Sequence, residues 1–203
     1  MKIKICGITS IEDAVLCESE GADALGFIFY EKSKRYVNPE AARKISHALS
    51  AFTIKVGVFV NSSADEINRI GDIVNLNLIQ LHGDESPELA NSLRLPAIKA
   101  FRVGDNFDYG NIALYPGKYF LLDTYSASAF GGTGTTFAWS KIPAELLESA
   151  IIAGGVSEKN VEQIYNELHP WGVDISSSLE SAPGKKDTEK VKSFFKTIRN
   201  ISC

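Results

Sequence analysis

Short apolar runs alternate with segments of helical period along the whole chain, and this alternation limits the fold more than any single motif does. Strands are expected near Ile3–Ile8, Ala24–Phe29, Thr53–Val60, Leu76–Leu81, Ala97–Val103, Tyr119–Thr124, Ala150–Ala153 and Gly172–Ser176, each bounded by glycine, proline or polar clusters. Helices are expected between them over Ser10–Glu20, Pro39–Leu49, Ala64–Val74, Pro87–Leu93, Ala144–Glu148 and Glu158–Leu168, with Asp187–Ile201 after the last strand. The connection Gly104–Gly117, rich in glycine, asparagine and tyrosine, carries no convincing helix. Parallel strands joined by right-handed crossovers either close into a (β/α)8 barrel or lie open as a doubly wound sheet. No strand leads into the G-x-G-x-x-G fingerprint of a dinucleotide fold, and polar and glycine residues recur just after strands, where a barrel gathers its active-site loops. The expectation is an α/β fold, a single-domain (β/α)8 TIM barrel over residues 1–203.

Composition narrows the function. The chain is 44% hydrophobic and 23% charged, near the globular average, and no apolar run reaches the length of a bilayer span. A net charge of −4 and no basic cluster longer than Lys185-Lys186 argue against a nucleic-acid partner and for a small metabolite. The opening MKIKICGITS lacks the apolar core of a signal peptide, and the three cysteines form no pairing motif, so a reducing cytoplasm is the expected compartment. Three histidines without shared spacing suggest no metal site.

Read by strand ends, the candidates for chemistry are Cys6, Arg35, His82, Asp123, the pair Gly154-Gly155, and Asp174 with Ser176-Ser177. In a barrel these ends meet at one mouth, where an acid and a base on separate strands can stand a substrate's width apart. Cys6 and Asp123 fit that need, although a cysteine there also suits a small buried hydrophobe and the aspartate a loop cap. Lys4 shares a strand face with Cys6 and is expected to favour the thiolate, while partial burial of Asp123 is expected to keep it protonated. The small, donor-rich turns "AGGV" and "DISSS" follow strands 7 and 8, where barrels commonly bind phosphate, so a phosphorylated substrate is expected. His82 reads either as a polar wall of the site or as a satisfied core histidine. "YSASAFGGTGTTF" after strand 6 is too long for a simple connection and has the make-up of a lid.

The segments "KICGIT", "GFIF" followed by "KRYV", "VGVFVN", "QLHG", "LLDT", "GGTGTTFAW", "AGGV" with "NV" after it, and "GVDISSSLESAPGKKD" occur in the order found in the phosphoribosylanthranilate isomerase family of tryptophan biosynthesis, which the chain resembles over nearly its whole length. The resemblance implies a (β/α)8 barrel that performs an Amadori rearrangement without a cofactor. It implies Cys6 as the base and Asp123 as the acid, with Arg35 receiving the anthranilate carboxylate, and it leaves monomer and homodimer both open. Three positions depart from the family pattern: Lys34 replaces proline, Ala138 aspartate and Ser178 glycine. They bear on the arginine's loop, the lid and the phosphate turn respectively.

Rival readings are another phosphosugar barrel and a non-catalytic barrel acting as a binding subunit. The first covers a sugar-phosphate isomerase, which would want aspartate at position 6, and a Schiff-base aldolase using Lys55 or Lys99. The second requires a lost acid or base, and both are present.

Overall fold

A computed structural model describes residues 1–104, 106–123 and 139–201. Eight parallel strands close into a barrel in chain order: β1 (Lys2–Cys6), β2 (Ala24–Ile28), β3 (Ile54–Phe59), β4 (Leu78–Leu81), β5 (Ala97–Arg102), β6 (Phe120–Asp123), β7 (Ala150–Ala153) and β8 (Gly172–Ile175). Helices α1 (Ile11–Glu20), α2 (Pro39–Ala48), α3 (Ala64–Val74), α4 (Pro87–Ser92), α5 (Ala144–Leu147), α6 (Val161–Leu168) and α7 (Thr188–Ile201) lie between and after them. The helix starts follow local chemistry. Ser10, Asn38, Ser63 and Ser86 each accept a hydrogen bond from a backbone N–H three residues on, and proline opens α2 and α4.

The apolar side chains divide into two sets. A large cluster between strands and helices holds Ile3, Ile5, Leu25, Phe27, Leu81, Leu122 and Ile152. A smaller one, of Ile98, Ala100, Leu121, Ile151 and Ala153, fills one side of the barrel interior. On the other side the interior is polar: Lys4 and Asp174 are Cα partners across β1 and β8, and their side chains form a buried ion pair at 2.8 Å.

Several boundaries differ from expectation for local reasons. Strand β1 stops at Cys6 because Gly7 takes a left-handed φ of 78° and turns the chain. Helix α6 starts at Val161, later than Glu158, because the Asn160 side chain accepts from Ser157 N at 2.8 Å and holds the preceding residues in a turn. The connection without an expected helix carries a 3-10 helix over Tyr109–Leu114. Two short strands, β9 (Glu180–Ala182) and β10 (Lys185–Lys186), form a hairpin after β8 that the apolar pattern does not reveal. Thr124, the lid segment, Ala138 and Cys203 lie outside the described residues.

Candidate active site

Cys6 ends β1 on the inward side, since Ile3 and Ile5 belong to the helix-facing cluster and Lys4 and Cys6 alternate with them. Two glycines make room for it. A Cβ on Gly26, its Cα partner on β2, would lie 2.8 Å from the Cys6 sulfur and 3.1 Å from Lys4 Nζ. A Cβ on Gly7 would lie 2.7 Å from Cδ of Arg35 and 3.2 Å from Oγ of Ser176. The glycine after the thiol therefore lets the arginine stem and the serine hydroxyl close over the end of β1.

The electrostatics around the sulfur differ from the sequence expectation. Burial pushes the Cys6 thiol up, the Lys4 ammonium pulls it down, and Asp174 pushes it up again, with a raised value as the outcome. Lys4 is held charged: burial lowers its pKa, but the Asp174 carboxylate and the Cys6 sulfur together more than offset that. Lys4 thus does not by itself generate a thiolate: burial outweighs its pull, and the Asp174 carboxylate opposes it further. Asp174, expected to contact substrate, is engaged by Lys4 through Oδ2, while its Oδ1 is buried without a hydrogen-bond partner.

Asp123 closes β6, separated from β1 around the barrel by β7 and β8. Its Oδ2 lies 3.3 Å from His82 Nε2, and His82 Nδ1 lies 2.8 Å from the Gln80 amide nitrogen on β4. His82 is therefore a partly exposed wall residue beside the carboxylate and not a core histidine. Its loop is anchored from below: Glu85 accepts from the N–H groups of Asn61 and Gly83, and pairs with Lys99 at 3.1 Å. Lys99 alternates with Ile98 and Ala100 of the interior cluster, so it points out of the barrel, where it also donates to the Gly83 carbonyl at 2.6 Å. Lys55 likewise lies between Ile54 and Val56, which line the lower barrel. Neither lysine sits where a Schiff-base aldolase needs its nucleophile, and that rival loses its residues.

The two small-residue turns after β7 and β8 adjoin. Gly154 and Gly155 both take φ near 81° after β7, and Asn160 Nδ2 donates to the Gly155 carbonyl at 2.9 Å. Ser176 and Ser177 follow β8, the second opening a 3-10 turn. Ser176 Oγ is buried and unpartnered. Ser178, one of the three departures, donates from Oγ to the Val156 carbonyl at 2.6 Å and so ties one turn to the other. Arg35, in the loop after β2, is occupied along one edge. Its Nε donates to Glu180 Oε1 at 2.8 Å and its Nη2 to Oε2 at 2.7 Å. Glu180 in turn accepts from Lys186 Nζ at 3.1 Å.

Glu180 and Lys186 were not among the candidates. The signal that points to them is the dipeptide Pro183-Gly184, which suits a type II turn and hence a hairpin returning over the mouth; Gly184 takes φ 80°. Among the described residues no group of His, Cys, Asp and Glu is arranged to hold a metal ion, and no helix is long and apolar enough to cross a membrane.

A closed (β/α)8 barrel with a thiol, a carboxylate and small-residue turns gathered at the C-terminal ends of its strands belongs to the class of barrel enzymes. The family model for N-(5'-phosphoribosyl)anthranilate (PRA) isomerase matches residues 3–197, and the chain belongs to that family. It is 45% identical over 201 residues to the N-(5'-phosphoribosyl)anthranilate isomerase of Geotalea uraniireducens, covering 98% of this chain and 99% of that one. Its fold matches the phosphoribosyl anthranilate isomerase of Thermotoga maritima with a TM-score of 0.89 at 41% identity, over 98% of this chain and 99% of that one. A further isomerase of the family, solved in complex with reduced 1-(o-carboxyphenylamino)-1-deoxyribulose 5-phosphate, matches with a TM-score of 0.87 at 39% identity, over 98% of this chain and 99% of that one.

Proposed function

We propose that this chain isomerises N-(5'-phosphoribosyl)anthranilate to 1-(2-carboxyphenylamino)-1-deoxyribulose 5-phosphate in tryptophan biosynthesis, with Asp123 as acid and Cys6 as base. The family match over residues 3–197 carries the reading, and the two groups stand at the ends of separate strands on one mouth. Asp123 gives its proton to the furanose ring oxygen, the C1′–O bond breaks, and the aminoaldose opens to a protonated Schiff base. The Cys6 thiolate then takes the proton from C2′, and the enolamine relaxes to the aminoketose. A buried thiol with a raised pKa is a poor base in the free protein. The thiol gives up its proton to solvent before chemistry, and the cationic Schiff base beside the sulfur then stabilises the thiolate.

Arg35 receives the anthranilate carboxylate, Gly154, Gly155, Ser176 and Ser177 hold the phosphate, and His82 walls the acid. A reducing compartment, the cytoplasm, suits a mechanism that needs Cys6 free, as it is here. Of the two oligomeric states, the homodimer has support at the barrel's lower end. Phe52 is 96% exposed beside an apolar cavity of about 170 Å³ lined by Ile54, Leu78, Ile98 and Trp171. The isomerase of Thermotoga maritima is described as dimeric.

The test is turnover of phosphoribosylanthranilate by the purified protein, followed as loss of substrate signal. Cys6→Ala and Asp123→Asn should each lower kcat by on the order of 10²–10⁴. Retention of more than about a tenth of parent activity in either variant would exclude that residue's role.

A further inference from the structure

We propose that Glu180 and Lys186, on the β9–β10 hairpin, are positioning residues that aim Arg35 at the substrate's carboxylate and tie that aim to the end of β1. The inference rests on the reading of Arg35 as the carboxylate receptor and adds the groups that make it selective.

A guanidinium offers five N–H donors in a rigid plane. Glu180 takes the edge formed by Nε and Nη2, with contacts at 2.8 and 2.7 Å. What remains is the end of the fork, Nη1 with the second Nη2 hydrogen, whose parallel donors match one more carboxylate in the same plane. Arg35 stands on a loop with a quarter of its side chain exposed; its own N–H donates to Ser33 Oγ at 3.1 Å, and the flanking backbone is tied by Tyr36 N to the Ser33 carbonyl at 3.1 Å and by Val37 N to the Ile28 carbonyl at 3.0 Å. Packing on Gly7 places the arginine stem at the end of β1, and Glu180 fixes the plane of the guanidinium beyond it.

Lys186 supplies the second half of the arrangement. Its side chain is 0% exposed, and its ammonium donates to Glu180 Oε1 at 3.1 Å, to the Cys6 carbonyl at 2.7 Å and to the Ser176 carbonyl at 3.2 Å. One cation therefore joins the residue bearing the base, the turn expected to hold phosphate, and the carboxylate that holds the arginine. The backbone N–H of Lys186 is fixed to Asp13 of α1 at 2.8 Å, so the hub is itself anchored.

Charge gives a separate reason for the pairing. An isolated Arg35–Glu180 pair is neutral and would attract an anion weakly. Lys186 balances Glu180 and leaves the charge of Arg35 for a ligand. Consistent with this, Glu180 lies below the ordinary carboxylate range: burial pushes it up, but the Arg35 hydrogen bonds and the Lys186 charge outweigh that.

A double-mutant cycle on KM separates positioning from simple structural support. Glu180→Gln should raise KM for phosphoribosylanthranilate by on the order of tenfold, with kcat within about threefold of the parent. In an Arg35→Ala background the same change should alter KM by less than about twofold, because the group it positions is gone. Lys186→Met should raise KM and also lower kcat, since it frees the Cys6 carbonyl, and Lys186→Arg should recover most of the KM effect. If Glu180→Gln accumulates unfolded, Glu180→Asp keeps the charge but shortens the reach, and the same cycle applies. An equal KM change in both backgrounds, or none where Arg35→Ala raises KM, overturns the proposal. If Arg35→Ala leaves KM unchanged, the carboxylate reading of Arg35 fails first and takes this inference with it.

Discussion

At residue scale the telling position is Cys6, where sequence and structure pull the chemistry in opposite directions. Its neighbour Lys4 favours the thiolate, yet burial and Asp174 leave the thiol raised. The base form is the thiolate, so a raised pKa makes that form scarce near neutrality. On this account the limb of the kcat/KM profile that Cys6 sets lies above the ordinary thiol value. The check is a pH profile of the parent against Asp174→Asn, in which one opposing charge is removed and the limb should move down. Gly26→Ala tests the space around the sulfur. The added methyl would lie 2.8 Å from the Cys6 sulfur, 3.1 Å from Lys4 Nζ and 3.3 Å from the Cys6 Cα, so the thiol, the buried ion pair and the end of β1 must all shift. Displacing a reacting atom by about 1 Å costs on the order of 10² in rate, so kcat should fall by more than the accompanying drop in Tm would explain. Cys17, buried on α1 with its thiol pushed up to about 12 by burial, should be replaceable by alanine without loss of kcat.

At the scale of elements, function depends on how the strand ends are joined more than on the strands. The turn after β7 is left-handed at Gly154 and Gly155, and a Cβ on Gly155 would meet nothing within 4 Å. The penalty for Gly155→Ala is therefore one of backbone conformation, about 1–2 kcal/mol, and not of crowding. We expect that variant to weaken competition by inorganic phosphate and raise KM while kcat changes less. Equal inhibition by phosphate in variant and parent would remove this turn from the phosphate site. Asn160→Ala, which releases the Gly155 carbonyl and Ser157 N, should act in the same direction.

At the scale of the whole molecule the two ends of the barrel have separate work. The proposed site residues gather at the C-terminal ends of the strands, and the exposed Phe52 with its apolar cavity lies at the other. If that lower face joins two copies, Phe52→Glu should shift sedimentation toward the monomer, and the parent's Tm should rise with protein concentration as the variant's does not. Activity per chain should survive, because no proposed site residue lies on that face. A parent that sediments as a monomer at micromolar concentration would rule the dimer out.

What the sequence by itself determined is the alternation that makes a barrel, the helix starts at Ser10, Pro39, Ala64 and Pro87, and the strand-end positions of Cys6 and Asp123. Each of these is local: apolar period, cap chemistry and the order of elements act over a few residues. The pairing of Lys4 with Asp174 was decided only by closure of the barrel, which sets β1 against β8, 170 residues apart in the chain. The sign of the Cys6 shift follows from that closure too, because burial depends on every strand around the sulfur. Arg35 meets Glu180 across 145 residues, through a hairpin whose short strands have no apolar period to read. Charges in the interior act on whatever the tertiary structure brings within a few ångströms, and that distance is not written in the order of the residues.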